Sequence, residues 1–268
     1  MPMSMISNIK RAMHQGFRHF GFDVVRIQNL DAALRLRERE REEQHRRSIR
    51  DLRAKHKDAI PAANGGPDER PASGPRWVAA AELWDVGCSL IDEDIQSLLD
   101  IGCAFRPQDF VDAKIHICCE PCEEYMDRLI VETAGLPKFV YLRSDLEESS
   151  KLFPTSSIDS VCLIDVIEHV EREQGLVCLE RLKRMARRQL ALFTPIGFMP
   201  QESDSEGVDP WGLGGSDWQR HRSGWLPEDF PASDGWRVIA CKDFHKLDGY
   251  GRPLEKPFGA MWAIWNRS

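Results

Sequence analysis

The sequence lacks any run of eighteen or more apolar residues, so it offers no candidate for a membrane-spanning helix. Its amino terminus also lacks the apolar core and the small-residue cleavage site of a signal peptide. An excess of basic residues is missing too, since the formal net charge is -7 at pH 7. This balance argues against a general nucleic-acid-binding protein. We therefore expect a cytoplasmic protein that does not bind nucleic acid.

Eight cysteines are present, but they do not form a zinc-binding pattern. Cys119 and Cys122 make a CxxC pair, yet no second CxxC pair or histidine pair stands at zinc-ligand spacing. Most of the cysteines lie inside apolar, strand-like runs, where a free thiol behaves as a small hydrophobic group. We expect reduced cysteines, as is usual in the cytoplasm, and no metal or redox role for the CxxC pair.

The amino-terminal part of the chain differs in composition from the rest. Residues 1–27 carry an apolar stripe at helical spacing opposite a basic face, which suits packing against protein or against an anionic membrane surface. Residues 31–58 are dense in Arg and Glu and predict a solvated, charged helix. We expect a helical extension over 1–58, a flexible Pro/Gly/Ala-rich linker over 59–76, and a folded domain over 77–268.

Apolar runs and helical patterns alternate through this domain. The predicted strands are 98–103, 115–119, 138–143, 158–164, 189–194, Trp236–Lys242 and Phe258–Trp265. The predicted helices are Val78–Gln96, Cys122–Ala134 and Glu168–Arg187. Alternation of this kind, with strands that are apolar along almost their whole length, indicates a parallel sheet covered on both faces. The chain is therefore predicted to be an α/β protein.

Acidic residues stand where the first two strands end. Asp100 precedes a turn at Gly102, and Glu120 closes the second strand, a layout typical of a nucleotide-like ligand at the carboxyl edge of a parallel sheet. A dinucleotide would require glycines at positions 102, 104 and 107, but the last two are Ala104 and Pro107. Asp100 would also repel a pyrophosphate.

The ligand S-adenosylmethionine fits these acids better than a dinucleotide does. It carries an amino group, a sulfonium, a ribose and an adenine, but no phosphate. Asp100 suits a cationic group, and the carboxylate of Glu120 can accept hydrogen bonds from both hydroxyls of a ribose.

Residues 77–268 resemble the class I S-adenosylmethionine-dependent methyltransferases. Five segments in order carry the resemblance: Leu99–Cys103, Cys119–Pro121, Ser144–Leu146, Ile158–Val170 and Thr194–Phe198. The resemblance implies a Rossmann-like, seven-stranded, mostly parallel sheet with an antiparallel hairpin at one edge. It also implies a set of cofactor-binding residues: Asp100, Gly102, Cys103, Ala104, Glu120, Pro121, Asp145, Leu146, Asp165 and Val166.

Ala104 departs from the motif of that family, which has a second glycine at this position. Alanine would be tolerated there if the backbone keeps a negative φ, but it adds a methyl group where the cofactor approaches the backbone. Loss of activity with retention of the fold would follow if the methyl group interferes.

The implied reaction displaces the sulfonium methyl group in line by a nucleophile of the acceptor, so the protein mainly supplies positioning and a dry pocket. His169 is the candidate base for a hydroxyl acceptor, although a packing role at the start of a helix is an equal alternative. Asp165, Glu168 and His169, with His221, also form a candidate site for a divalent cation. Because Asp165 is assigned to the cofactor, we predict no metal.

A long loop, Gly197–Gly235, follows the fifth strand and has little periodicity. It contains Trp211, Trp218 and Trp225, with a basic segment at 220–222. Tryptophan faces and arginine forks suit an anionic or glycan-like acceptor, while a lid that merely closes over the cofactor is an equal interpretation.

The leading hypothesis is methyl transfer from S-adenosylmethionine to a small-molecule or saccharide acceptor, at a hydroxyl. A nicotinamide-dependent oxidoreductase is the first alternative. The second is a catalytically decayed interaction protein that has kept the methyltransferase fold.

Overall fold

The computed structural model describes residues 74–201 and 208–267. The strands in this part of the chain are β1 (Arg76–Trp77), β2 (Ser97–Ile101), β3 (Ile115–Cys119), β4 (Phe139–Leu142), β5 (Ile158–Ile164), β6 (Ala186–Pro195), β7 (Trp236–Leu247) and β8 (Pro253–Asn266). The α-helices are α1 (Ala80–Ser89), α2 (Glu123–Glu132), α3 (Leu146–Ser149) and α4 (Arg172–Met185). The predicted amino-terminal extension and almost all of the predicted linker lie outside the described residues.

The strands form one sheet in the order β1-β7-β8-β6-β5-β2-β3-β4. Only β8 runs antiparallel to its neighbours, and every other pairing in the sheet is parallel. After β2 the chain turns to β3 on one side, while β5 returns on the other side of β2. This reversal creates a crevice at the carboxyl ends of β2 and β5, where ligands of open α/β sheets bind.

The predicted α/β class and the mostly parallel sheet are confirmed. All seven predicted strands are present, with the antiparallel β7–β8 pair toward one edge of the sheet as predicted, and an eighth strand of two residues, β1, adds to β7 in parallel. The backbone N–H of Val78 donates to the carbonyl of Ala240 at 2.9 Å and extends this short pairing. Strand β1 has only two residues and no alternating pattern, so the sequence gives no strand signal there. Its pairing with β7 depends on the exposed backbone of that strand.

The first predicted helix is too long at its carboxyl end. It stops at Ser89 instead of Gln96 because side chains from distant strands bind the backbone that follows. Gln189 accepts from the N–H of Asp92 at 2.8 Å, and Asp159 accepts from the N–H of Gln96 at 2.8 Å. These bonds replace helical hydrogen bonds and lead the chain into β2.

Apolar clusters cover both faces of the sheet. On one face Trp84 of α1 packs against aromatic side chains of the sheet. Its ring lies 5.0 Å from that of the fully buried Trp262 and 5.3 Å from that of Phe193, measured between ring centroids. On the other face α4 covers the strands, and the buried Trp225 and Phe230 from the long loop join that core. Among the described helices none is long and apolar enough to cross a membrane.

Gly87 provides a test of the α1 packing. A Cβ at this position would lie 2.1 Å from Cδ1 of Trp262, whose ring is enclosed and has no room to shift. We expect Gly87→Ala to lower the free energy of unfolding by about 1–2 kcal/mol, because overpacking outweighs the gain in helix propensity. Urea unfolding followed by circular dichroism measures this. Gly74→Ala, where the added Cβ meets open space, is the control and should be neutral; equal stabilities of the two variants would contradict the packing.

Candidate active site

A cavity of about 210 Å³ opens at the carboxyl edge of the sheet, at the reversal between β2 and β5. It is lined by Ile101, Gly102, Ala104, Glu120, Pro121, Asp145, Leu146, Glu147, Asp165, Val166, His169, Val170, Gln174, Trp218, Gln219 and Arg222. Nine of the eleven residues predicted for the site are therefore brought together here. Asp100 and Cys103 are the two that do not line the cavity.

The turn after β2 is held in an unusual backbone conformation. Gly102 has a φ of +68°, and a Cβ on it would lie 2.6 Å from Cγ2 of Val166. Glycine is thus required both by conformation and by the close approach of the strand end after β5. Ala104 has a φ of +48°, so the negative φ under which an alanine would be tolerated at this position is not present. An alanine in this left-handed region costs roughly 1–2 kcal/mol, so the turn stores strain.

Glu120 connects the ends of β2 and β3. One of its carboxylate oxygens accepts from the N–H of Ala104 and the other from the N–H of Cys122, each at 2.8 Å. Burial raises the pKa of Glu120 to about 7, although these two backbone hydrogen bonds oppose the shift. Since each oxygen can accept more than one hydrogen bond, the oriented carboxylate still has acceptor sites for a ligand in the cavity.

Asp100 points into the core instead of the cavity. Its Oδ2 lies 2.9 Å from Nε2 of His116 and accepts from the N–H of Gln108 at 2.9 Å. Burial disfavours the charged form of His116, but bonds with Asp100 and Cys118 outweigh it and raise the pKa of the imidazole to about 9. Asp100 and His116 therefore form a buried ion pair that fixes the loop after the turn, a role different from the predicted contact with a cationic ligand group.

The thiol of Cys103 also faces away from the cavity. It packs in an apolar cluster with Phe105, Cys118 and Tyr125. All eight cysteines of the chain are free thiols, so the CxxC pair forms no disulfide. Burial is the largest effect on Cys119 and Cys122 and raises the pKa of both thiols, which keeps them protonated and unreactive.

The wall formed by α3 combines acidic and apolar groups. Asp145 caps this helix by accepting from the N–H of Glu148 at 2.8 Å, while Leu146 is buried beside the cavity. Gln174 from α4 donates to Glu147 at 2.8 Å and joins the two helices at the rim.

Asp165 and Val166 close the cavity from the end of β5. Asp165 adopts a φ of +50°, and its N–H donates to the carbonyl of Phe193 at 2.9 Å. Its side chain is exposed to the cavity, yet the surrounding protein reduces its hydration and raises its pKa to about 7. The strained backbone presents this carboxyl group to the cavity instead of the sheet face.

His169 ends a short 3₁₀ turn, Ile167–His169, that follows β5. Its Nδ1 lies 3.2 Å from the carbonyl oxygen of Arg220, and its ring is 4.9 Å from that of His221 between centroids. Burial, with a smaller contribution from His221, lowers the pKa of His169 to about 4. The imidazole is therefore neutral at pH 7 and lines the cavity.

The long loop contributes three lining residues, Trp218, Gln219 and Arg222. The guanidinium of Arg222 donates to the carbonyls of His169 and Asp217, at 2.7 and 3.2 Å, so it holds the loop in place. Trp225 is fully buried and donates to Ser223 Oγ at 3.0 Å, which makes it an anchor and not a ligand-stacking surface.

Trp211 also lies outside the cavity, where its ring packs 5.7 Å from that of Phe105 and 5.8 Å from that of Tyr125, measured between centroids. The sequence patterns do not single out four further lining residues: Ile101, Glu147, Val170 and Gln174. Helical spacing could have found Gln174, which stands one turn beyond Val170, and Glu147 follows the predicted pair Asp145–Leu146 directly.

Carboxyl groups outnumber cationic groups in the cavity. Four acids, Glu120, Asp145, Glu147 and Asp165, line it against a single arginine that already binds backbone carbonyls. No helix begins in residues 105–114, so the turn after β2 offers no helix amino terminus to a phosphate. The cavity is suited to a positively charged ligand that carries hydroxyl groups.

Within residues 74–201 and 208–267, two clusters bring together atoms that can ligate a metal: Asp100, His116 and Cys118, and Glu168, His169 and His221. In the first cluster the imidazole already pairs with Asp100 in the core. The second cluster lies beside the cavity. Among the described residues, its two imidazoles contact backbone carbonyls and are not hydrogen-bonded to a carboxylate.

No family model and no curated protein matches this sequence. Among solved structures, the chain is similar to an S-adenosylmethionine-dependent methyltransferase from Archaeoglobus fulgidus, with 15% identity, 65% of this chain and 87% of that chain covered, and a TM-score of 0.43. A second such methyltransferase, from Mesorhizobium loti, has 16% identity, coverage of 70% and 98%, and a TM-score of 0.44.

The N-methyltransferase NodS from Bradyrhizobium japonicum shows 12% identity, coverage of 70% of this chain and 93% of that chain, and a TM-score of 0.44. Because these TM-scores lie below 0.5, the similarities do not indicate what this chain does, and its function follows from the residues of its own cavity.

Proposed function

We propose that this protein transfers the methyl group of S-adenosylmethionine to a hydroxyl of a small-molecule or saccharide acceptor. The observation that carries the proposal is the acidic cavity at the sheet reversal, where backbone N–H groups orient the carboxylate of Glu120. When bound, S-adenosylmethionine supplies an electrophilic methyl group on a positively charged sulfur. The acids of the cavity match this charge, and nothing in the ligand requires a phosphate site.

Each part of this cofactor has a matching group in the cavity. Glu120 would accept hydrogen bonds from the ribose hydroxyls. Leu146 and Val166 offer apolar walls for the adenine, with Asp145 at its polar edge. The turn at Gly102 and Ala104 would lie against the amino-acid portion, and Asp165 faces the region of positive charge. These residues bind and orient, which is the main contribution that a direct methyl transfer needs.

The same observations disfavour a nicotinamide dinucleotide. Its pyrophosphate would meet the four acids of the cavity instead of a helix amino terminus. A hydride transfer enzyme remains the alternative, and tight NADH binding without binding of S-adenosylmethionine would select it.

Residues on the far side of the cavity are proposed to receive the acceptor. Trp218 is partly exposed there and provides an aromatic face for a sugar or an aromatic ring, and Gln219 offers hydrogen bonds. His169 is neutral at pH 7 and can accept the acceptor's hydroxyl proton. A pKa of about 4 makes it a weak base, so the reaction would gain from a second group that acidifies the hydroxyl.

The cytoplasm is the proposed location of this reaction. Eight free thiols, six of them in strands or helices of the packed domain, suit a compartment that keeps cysteines reduced.

Binding of S-adenosylhomocysteine, the demethylated product, tests the proposal directly. Calorimetry with the full chain should show binding that strengthens from pH 6 to pH 8, because ionised Glu120 accepts ribose hydrogen bonds and protonated Glu120, below its pKa of about 7, does so poorly. Glu120→Gln should weaken binding at least about tenfold and reduce this dependence on pH, leaving the part contributed by Asp165, whose pKa is also about 7.

The matched control is Glu123→Gln, which removes an exposed acid from α2 and should leave both affinity and pH dependence unchanged. Absence of binding at millimolar ligand would refute the proposed function. Binding without turnover on any acceptor would indicate the catalytically decayed alternative.

Ala104 tests the strain in the turn. Ala104→Gly removes a left-handed alanine, so we expect S-adenosylhomocysteine to bind as tightly as in the wild type or up to about tenfold more tightly. Ala104→Val, with a β-branched residue at positive φ, should lower the free energy of unfolding by at least about 1 kcal/mol. Chemical unfolding and calorimetry measure the two effects; weaker ligand binding by the glycine variant would contradict the strain argument.

His169→Ala should reduce turnover by about 10²-fold or more while changing the affinity for S-adenosylhomocysteine little, because the imidazole acts on the acceptor and not on the cofactor. Steady-state kinetics with any active acceptor, together with calorimetry, separates these quantities. Equal losses in both would remove His169 from the proton-transfer step.

A further inference from the structure

Glu168, His169 and His221 form a compact cluster beside the cofactor cavity. One potential ligand atom from each residue lies within 4.8 Å of the others. The carbonyl of Glu168 accepts from the N–H groups of Arg222 and Ser223, at 2.7 and 3.0 Å. These two bonds fasten the long loop to the 3₁₀ turn and place His221 next to His169, although 52 positions separate the two in sequence.

The carboxylate of Glu168 is incompletely satisfied. The residue is only 2% exposed, and its Oε2 accepts from Thr194 Oγ1 at 2.9 Å. Its Oε1 is buried and has no hydrogen-bond partner among the described residues, and no cationic side chain in that part of the chain pairs with it. A buried carboxylate oxygen without a partner is costly, because desolvation is not compensated. A bound cation would provide the missing partner.

The two imidazoles are oriented in the manner of metal ligands. Nδ1 of His169 lies 3.2 Å from the carbonyl of Arg220, and Nδ1 of His221 lies 2.6 Å from the carbonyl of Met199. When Nδ1–H donates to a backbone carbonyl, the lone pair is on Nε2, and the ring orientation is fixed.

We propose that Glu168, His169 and His221 bind one divalent transition-metal ion, such as Zn²⁺. Two imidazoles and one carboxylate are a ligand set that this ion accepts, with the remaining coordination position open. Bond lengths near 2.0–2.2 Å require ligand atoms about 3.3 Å apart in a tetrahedral site, so the three side chains close slightly around the ion.

The location gives the ion a place in the proposed reaction. His169 lines the cavity, so one ligand of the ion borders the space where the acceptor is proposed to bind. Nε2 of His169 cannot ligate an ion and accept a proton at the same time, so its role as proton acceptor applies to the metal-free protein. In the metal-loaded protein the ion would lower the pKa of the bound acceptor hydroxyl, and the proton would pass to solvent. This role rests on the proposed methyl transfer, whereas metal binding itself does not.

Metal binding is measured on the untagged full chain after removal of metal with a chelator. Titration with Co²⁺, followed by its visible absorption and by competition with Zn²⁺, should show one equivalent at a site with nitrogen and oxygen ligands. His221→Gln, His169→Gln and Glu168→Gln should each weaken binding at least about tenfold. Glu171→Gln, which removes an exposed acid just before α4, is the matched control and should bind as the wild type does.

Wild-type affinity in His221→Gln or Glu168→Gln would overturn the proposal, as would binding of Mg²⁺ alone or of no ion. Thermal unfolding checks that each variant is folded, and His221→Ala replaces any glutamine variant that is not. Calorimetry with S-adenosylhomocysteine on the same samples separates the two proposals. Metal binding without cofactor binding refutes only the methyltransferase, and cofactor binding without metal binding refutes only the metal site.

Discussion

The candidate site depends on the carboxylate of Glu120, which joins the ends of two parallel strands. By accepting from the N–H groups of Ala104 and Cys122, it binds the turn after β2 to the start of the segment after β3. Two backbone donors on one buried carboxylate fix its position far better than a flexible side-chain partner would. The raised pKa of Glu120 follows from this burial, and the shape of the cavity floor follows from the turn that it holds.

Strain accompanies this arrangement at three neighbouring positions. Gly102, Ala104 and Asp165 all have positive φ, and the first packs so closely on Val166 that no Cβ fits between them. Glycine meets this requirement without cost, whereas alanine and aspartate do not. Of the three non-glycine residues with positive φ in the described part of the chain, Ala104 and Asp165 lie where the two strand ends approach, which is where a ligand would bind.

Sequence patterns predicted the sheet and most of the cavity because the carboxyl ends of parallel strands converge whatever the side chains do. They failed where a contact with a residue distant in sequence determines the local structure. Asp100 lies within β2 and turns toward His116, a buried partner contributed by the next strand, so its proximity to the glycine turn was misleading. The sign of φ at Ala104 depends on the hydrogen bond to Glu120, and the strand β1 depends on the exposed backbone of β7. None of these is local in sequence.

Residues 208–235 of the long loop show how a segment without periodicity can be held in place by a few buried contacts. Trp225 inserts into the core, the carbonyl of Glu168 receives two N–H groups of the loop, and Arg222 caps the carbonyl of His169. All three contacts converge on the turn after β5. The described part of the loop therefore cannot leave this turn without breaking the cluster of Glu168, His169 and His221. His169 belongs to the turn after β5 and His221 to the long loop. An ion bound by both would therefore strengthen the attachment of the loop to the turn.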